Sequence, residues 1–452
     1  MRPEEAAARA LAIILPTFAR PDDSQPADAR MRAFFRDHPS LGRRERLQAA
    51  DLVFDVLRNL RLYQALAAGD ERAPEVPPER LVAQAQVAAQ GTPNQGTPGQ
   101  GTPDRAVLAG LPPAVRLSLP DWLWQRLQAA HGDRAEAIAA ALLAPAPVDI
   151  RANLLRAKPA ALREALAQRG IATEPVPEVA TALRAAGRPA LERLDLFERG
   201  WFEIQDAGSQ WIVEACAVRR GQLAVDFCAG AGGKTLGLAA RMRNTGRILA
   251  FDTSAERLSR IGPRAARAGV DIVTTVRLDG PDDARLGRYA GRADVVLVDA
   301  PCSGTGTLAR SPELKWRLTP ARLDELTRLQ RRILAAAARL VKPGGRLVYA
   351  TCSLLDEENR ALARWFDGEP AARPDGGVGA VTEAGVVGPA RAGKDMASAK
   401  GIAAGTADAV ADRRRPLAAP AASGAAQTED WLPGGRHASG FFVAKWLTRP
   451  AK

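Results

Sequence analysis

Beyond residue 220 the chain alternates short apolar runs, at residues 223–227, 247–251, 272–278, 294–299 and 346–351, with stretches of helical spacing. Runs of this length read as buried strands. Their alternation with helices predicts an α/β, Rossmann-like doubly wound parallel sheet whose ligands sit at the carboxyl ends of its strands. Every candidate site residue below lies at such an end.

The first of these ends is a strand, a glycine-rich turn and a helix start: Asp226, Phe227, Cys228, Ala229, Gly230, Ala231, Gly232, Gly233, Lys234, Thr235. Glycines let backbone N–H groups approach a ligand at a helix amino terminus, where the dipole favours anionic groups such as a carboxylate. A phosphate-cradling loop needs glycine where Cys228 stands, and a nicotinamide fingerprint needs glycine where Thr235 stands. A nucleoside-binding turn of another kind remains. Asp252 follows the next strand about 20 residues on, where a carboxylate meets ribose hydroxyls. An adenosine-type cofactor is expected, and S-adenosylmethionine fits best.

At 452 residues the chain is too long for one compact core. Lys and Arg exceed Asp and Glu to give a formal net charge of +12, which points to a polyanionic partner, RNA or DNA, against the plainer reading of a solvated basic surface. The four cysteines, Cys216, Cys228, Cys302 and Cys352, form no C-x-x-C pair and lie away from the histidines, so neither a disulfide framework nor a metal site is indicated. No apolar run approaches a membrane span, and a soluble, cytoplasmic protein, monomeric and without a membrane partner, is expected.

Three regions are predicted. Residues 1–144 form a helical amino-terminal region with basic residues such as Arg43, Arg44, Arg46, Arg58 and Arg61 among its apolar positions, interrupted at 88–104 by a Gly-Thr-Pro repeat that reads as a flexible linker. Residues 145–204 form a small β-α subdomain, with a helix near 159–168. Residues 205–452 form the catalytic domain, with an Ala/Gly/Pro-rich insertion at 367–430 expected to be disordered, and a final strand near 441–446.

The fourth strand ends in Asp299, Ala300, Pro301, Cys302 and the fifth in Thr351, Cys352, Ser353. Adjacent strand ends would bring two thiols and a carboxylate beside the cofactor turn. One such cysteine is usually a small core residue; two with Asp299 suit covalent chemistry. Carbon 5 of cytosine is too weak a nucleophile to take a sulfonium methyl unaided. Thiolate addition to carbon 6 activates it, and loss of the carbon 5 proton then releases the thiol. Lys234 or a nearby Arg would stabilise the thiolate, and Asp299, protonated or sharing a proton with ring N3, would offset the charge that addition creates.

Together these residues resemble the bacterial RsmB-type RNA cytosine-5 methyltransferases, over roughly 115–366 and 431–446. Also similar are Gln205-Asp206, Lys315-Trp316, Leu329-Gln330, Glu357-Glu358-Asn359 and Gly440-Phe441-Phe442. The resemblance implies a class I S-adenosylmethionine-dependent methyltransferase acting on carbon 5 of a cytosine in RNA, most plausibly 16S ribosomal RNA. It implies Cys352 as nucleophile and Cys302 in product release, with Asp299 and Lys234 beside them. Cofactor contacts would fall on Cys228, Ala229, Gly230, Ala231, Gly232, Gly233, Lys234, Asp252, Asp279 and Asp299. An RNA-binding helical domain like the antitermination factor NusB is implied as well, with only residues near 30–62 looking like it. Two positions depart from the family: Ala229-Gly230-Ala231-Gly232 stands for the usual Ala-Ala-Pro-Gly, and Ser439 for the usual Asp. The alternatives are DNA cytosine methylation, with Cys302 as nucleophile, and an assembly factor without turnover. Amino-group methylation is disfavoured, because the loop after Asp299 lacks the aromatic residue that stacks the base.

Overall fold

The computed structural model describes residues 1–20, 25–68, 76–90, 105–368, 426–434, 437 and 439–448. Its centre is a seven-stranded sheet ordered β10-β11-β9-β8-β5-β6-β7. The strands are β5 (Leu223–Asp226), β6 (Arg247–Asp252), β7 (Val273–Arg277), β8 (Ala293–Asp299), β9 (Val341–Thr351), β10 (Gln427–Trp431) and β11 (Phe441–Leu447). From β7 to β9 the pairing is parallel; β11 and β10 add antiparallel at one edge. Alternate residues of each strand enter opposite apolar layers. Val225, Leu249, Val296 and Tyr349 pack with helices Pro320–Ala338 and Arg360–Phe366. Ala224, Ile248, Val295 and Val348 pack with helices Ala207–Ala215, Gly233–Arg241 and Ile261–Ala268. Both faces are thus covered, as a parallel sheet requires. The fold is the doubly wound, largely parallel α/β sheet that the alternating runs predict.

The small subdomain is a second sheet, ordered β2-β3-β1-β4, of β1 (Val148–Ala152), β2 (Thr173–Pro175), β3 (Ala182–Ala185) and β4 (Phe202–Ile204). Helix Pro159–Ala167 covers one face through Leu162 and Leu166, against Ile150, Leu183 and Phe202. The helical region holds two cores. Helices Pro3–Ile14, Ala27–Asp37, Arg43–Ala68 and Pro78–Gln90 share one. Helices Asp121–His131 and Ala135–Ala141 pack instead on Leu308, Leu323, Leu354 and Leu355 of the catalytic domain.

Three expectations need adjusting at their edges. Residues 88–90 finish a helix that Pro78 opens, so only 91–104 of the repeat lies outside the described residues. Residues 427–430 belong to β10, paired to β11, and 369–425 of the insertion lie outside the described residues. The fifth strand, read over 346–351, begins earlier: residues 341–345 are taken up into β9, which shifts register against β8 between Ala293 and Val295. No helix of the described residues is long and apolar enough to cross a membrane.

Candidate active site

The carboxyl ends of β5, β6, β8 and β9 open on one cleft of about 480 Å³. Its first wall is the turn after β5. Cys228, Ala229, Gly230, Ala231, Gly233 and Lys234 line it. Gly230 and Gly232 have φ of +54° and +82°, the left-handed region that a side chain strains, and a Cβ on Gly232 would meet Ile261 at 2.8 Å. Gly232 therefore faces away from the cleft, as the helix N-cap, and shapes the turn instead of lining it.

Asp252, buried at the end of β6, accepts from the Gly230 N–H at 2.8 Å through one oxygen, and from the Ser254 N–H and Arg257 through the other. It ties the glycine turn to the neighbouring strand and lines the cleft. Asp279 lies elsewhere: its side chain is 76% exposed and paired with Arg285 at 3.0 Å, and the adjacent Leu278 and Gly280 line the cleft in its place. Asp226 also lines the cleft. Its Oδ2 accepts from Thr235 at 2.7 Å, its Oδ1 is buried without a partner, and burial pushes its carboxyl up to about 7. A turn bared of side chains, a helix amino terminus, a strand-end carboxylate and an unpartnered buried oxygen fit an adenosyl amino acid.

The second wall carries the thiols. β8 and β9 are neighbours, with Asp299 opposite Ala350, so the loops that follow bring Cys302 and Cys352 together at an Sγ–Sγ distance of 3.3 Å. Both sulfurs belong to half-buried residues lining the cleft. The hydrogen bond with Cys352 and burial push the Cys302 thiol well above the usual range. That shift favours the protonated thiol at Cys302, and either sulfur can donate in this contact. Lys234 reaches across from the first wall to donate to Asp299 at 2.6 Å. Burial alone would lower the Lys234 ammonium, but Asp299 and Cys352 outweigh it and hold it above the usual lysine range.

Adjacent residues of a single turn pin both thiol loops. Glu358, fully buried, accepts from the Ser303 N–H at 2.8 Å, the Ser303 hydroxyl at 2.5 Å and Gln330 at 2.9 Å; Gln330 also donates to the Pro301 carbonyl at 2.9 Å. Asn359 accepts from the Thr351 hydroxyl at 2.6 Å and donates to the Ser353 carbonyl at 2.8 Å. Glu358 thereby fixes Ser303 directly and Pro301 through Gln330, on either side of Cys302, and Asn359 fixes both neighbours of Cys352. Gly306 closes the knot: it donates to the Cys352 carbonyl at 2.9 Å and accepts from the Gly440 N–H at 2.7 Å, in a space where a Cβ would meet the Gly440 carbonyl at 2.1 Å. Ser439 donates to Asp206 at 2.8 Å, and the same Asp206 oxygen accepts from Arg310 at 2.7 Å.

The helical region docks on the same loop. Helix Arg43–Ala68 is kinked at Asn59. There the Leu57 carbonyl accepts from Trp316 at 2.8 Å, the Arg58 carbonyl from Lys315 at 2.6 Å, and the Arg61 N–H donates to Ser118 at 3.0 Å. Burial pushes the Lys315 ammonium well below its ordinary value. Cleft residues that sequence reasoning missed include Asp226, for which the signal was an acid closing a buried strand, and Gln205 and Ser209, which share one helix start.

Comparison with known proteins agrees with this geometry. Residues 213–367 match the family model described as 16S rRNA methyltransferase RsmB/F, and residues 119–191 match the ferredoxin-like domain of RsmF/B-like methyltransferases. A probable ribosomal RNA small subunit methyltransferase B of Synechocystis is 35% identical over 253 residues, 55% of this chain and 56% of that protein. The chain spans about half the length of the curated relatives it matches. A solved methyltransferase homologue from Pyrococcus horikoshii is 26% identical, with a TM-score of 0.56 over 76% of this chain and 100% of that one. The structure of PH0851, 24% identical, superposes with a TM-score of 0.67 over 99% of each chain and shares the fold. In its catalytic and small β-α regions, the chain is thus similar to the methyltransferase and ferredoxin-like domains of the RsmB/F methyltransferases.

Proposed function

We propose that the chain methylates carbon 5 of a cytosine in RNA, most plausibly 16S ribosomal RNA, through a covalent bond from Cys352 to carbon 6. The observation that carries this reading is the pair of thiols 3.3 Å apart in the cleft that also holds the glycine turn. When bound, S-adenosylmethionine supplies an electrophilic methyl. Cys352, as thiolate, adds to carbon 6, and the electron pair of the 5,6 double bond becomes available at carbon 5. Asp299 is assigned to ring N3, sharing a proton with it so that the charge of addition is offset, while the Lys234 ammonium donates to the same carboxyl group. After methylation the carbon 5 proton leaves to a base, the double bond reforms and the carbon 6–sulfur bond breaks. Cys302, protonated beside Cys352, is assigned to this release.

The base must leave its stack to expose both faces, at a cost of a few kcal/mol that unpaired sites reduce. A net charge of +12 supports RNA held by phosphate contacts, and the helical and ferredoxin-like regions are the assigned holders. We assign a monomer acting in the cytoplasm.

Transfer of labelled methyl to unmodified ribosomal RNA and to duplex DNA, by the parent, Cys352→Ala and Cys302→Ala, tests the proposal. Labelled 5-methylcytosine in RNA, abolished by Cys352→Ala, is expected, with Cys302→Ala accumulating a protein–RNA adduct. Label in DNA that depends on Cys302 would overturn the assignment, and cofactor binding without transfer would point to an assembly factor.

A further inference from the structure

The small subdomain reaches into the cofactor wall by two routes that the reaction does not use. Arg151 on β1 and Glu203 on β4 are opposite residues of one antiparallel pair, so both side chains leave the same face of the sheet, away from the small core that Ile150 and Phe202 fill. Both are buried against the catalytic domain. Arg151 donates to the Gly233 carbonyl at 2.6 Å and to the Gln205 side chain, which lines the cleft. Gly237, one turn further along the same helix, has no side chain in Arg151's path; a Cβ there would meet the guanidinium at 2.9 Å. Glu203 accepts from Arg264 at 2.8 Å and from Arg267 at 2.5 Å, and Arg264 extends its other nitrogen to the Ala231 carbonyl at 2.5 Å.

We propose that Arg151, and Glu203 acting through Arg264, are positioning residues for the cofactor: the ferredoxin-like subdomain, rather than the central sheet alone, sets the shape of the turn that binds it. This deepens the reading above and rests on it. In a trans peptide the carbonyl and the following N–H point in opposite directions. Holding the Gly233 carbonyl toward Arg151 therefore aims the Lys234 N–H the other way, and that N–H is among the first-turn donors a helix leaves free for a ligand. Holding the Ala231 carbonyl likewise stops the bared turn from rotating. Neither glycine-rich peptide has side-chain packing of its own to resist such rotation. Burial would raise the Glu203 carboxyl, but the two guanidiniums outweigh it, so the carboxylate that anchors Arg264 stays ionised at neutral pH. An Arg is needed at 264 because one planar group spans both Glu203 and the carbonyl, which a lysine cannot do.

The test uses the full chain with Arg264→Met and Glu203→Gln, both outside the cleft lining, and Arg151→Lys beside them. S-adenosylhomocysteine is titrated calorimetrically, and KM for S-adenosylmethionine, KM for RNA and kcat are measured separately. Arg264→Met is expected to raise the S-adenosylhomocysteine Kd and the cofactor KM about tenfold or more, the loss of one charge-assisted hydrogen bond. Glu203→Gln has a smaller effect of the same kind, and the double variant adds little to Arg264→Met. kcat at saturating cofactor and KM for RNA stay at the parent values, which a general loss of structure would not allow. Unchanged S-adenosylhomocysteine affinity in a folded Arg264→Met would overturn the proposal, as would a defect confined to kcat or RNA. A parent that binds S-adenosylhomocysteine and methylates no RNA removes the proposed reaction but leaves the positioning role to the titration. A parent that binds no S-adenosylhomocysteine overturns both.

Discussion

The two walls of the cleft are held by different means. The thiol wall is braced from within the catalytic domain: Glu358 and Asn359, consecutive in sequence, fix the neighbours of Cys302 and Cys352, and every bond they make is buried. The cofactor wall is braced from outside, by guanidiniums that lead back to the ferredoxin-like sheet. The wall to which the proposed reaction assigns bond making and breaking has a fixed geometry of its own, and the wall assigned to the diffusible cofactor is held by Asp252 and, in addition, by a neighbour. Sub-ångström placement matters most where a bond must form, and a buried, fully satisfied network is the stiffer support.

The strongest way to break this contrast is Glu358→Ala. It leaves the Ser303 N–H and Gln330 without their buried acceptor, and a loss of roughly 3 kcal/mol in unfolding free energy is expected, together with at least a hundredfold in kcat. S-adenosylhomocysteine affinity should hold; an equal loss there would show that the two walls are one unit. Asn359→Ala should cost about 1–3 kcal/mol and lower kcat without moving the cofactor KM. Denaturant unfolding alongside kinetics checks both.

Asp226 sharpens the contrast through pH. A carboxyl whose folded value, about 7, lies above its unfolded value stabilises most while protonated. That contribution is complete below the unfolded range near 4 and is lost as pH rises through 7, at roughly 1.4 kcal/mol per unit. Asp226→Asn, which can still accept from Thr235, should therefore flatten the fall in parental stability between pH 5 and pH 8, read by thermal unfolding across that range. The smallest effect belongs to Ser439→Ala, about 1 kcal/mol or less, because Asp206 keeps Arg310 and its helix cap.

The five strands of the alternating half, both thiol loops and the glycine turn were legible because each carries a local signal: an apolar run, a special φ or a reactive side chain at a strand end. β10 was not. Its Gln427, Thr428, Glu429 and Asp430 look like loop, since an edge strand with one partner and a solvent face needs no apolar pattern. The kink at Asn59 has no proline or glycine to announce it. Arg151, Glu203 and Arg264 were equally silent, as their meaning lies in backbone carbonyls 82 and 33 residues away and in one ion pair 61 residues apart. Asp279 shows the converse: a carboxylate in the expected place along the sequence, turned to a nearby arginine by an exposed loop.

A chain is made from its amino terminus, and its early domains fold while the rest is still being synthesised. The kinked helix Arg43–Ala68 is complete some 250 residues before the segment that satisfies it, since the carbonyls of Leu57 and Arg58 wait for Trp316 and Lys315. Until then water must stand in for both donors. The helical region is accordingly a mould prepared in advance: when the loop that follows Cys302 emerges, the surface against which it sets is already in place, and the order of synthesis becomes part of how the active site is assembled.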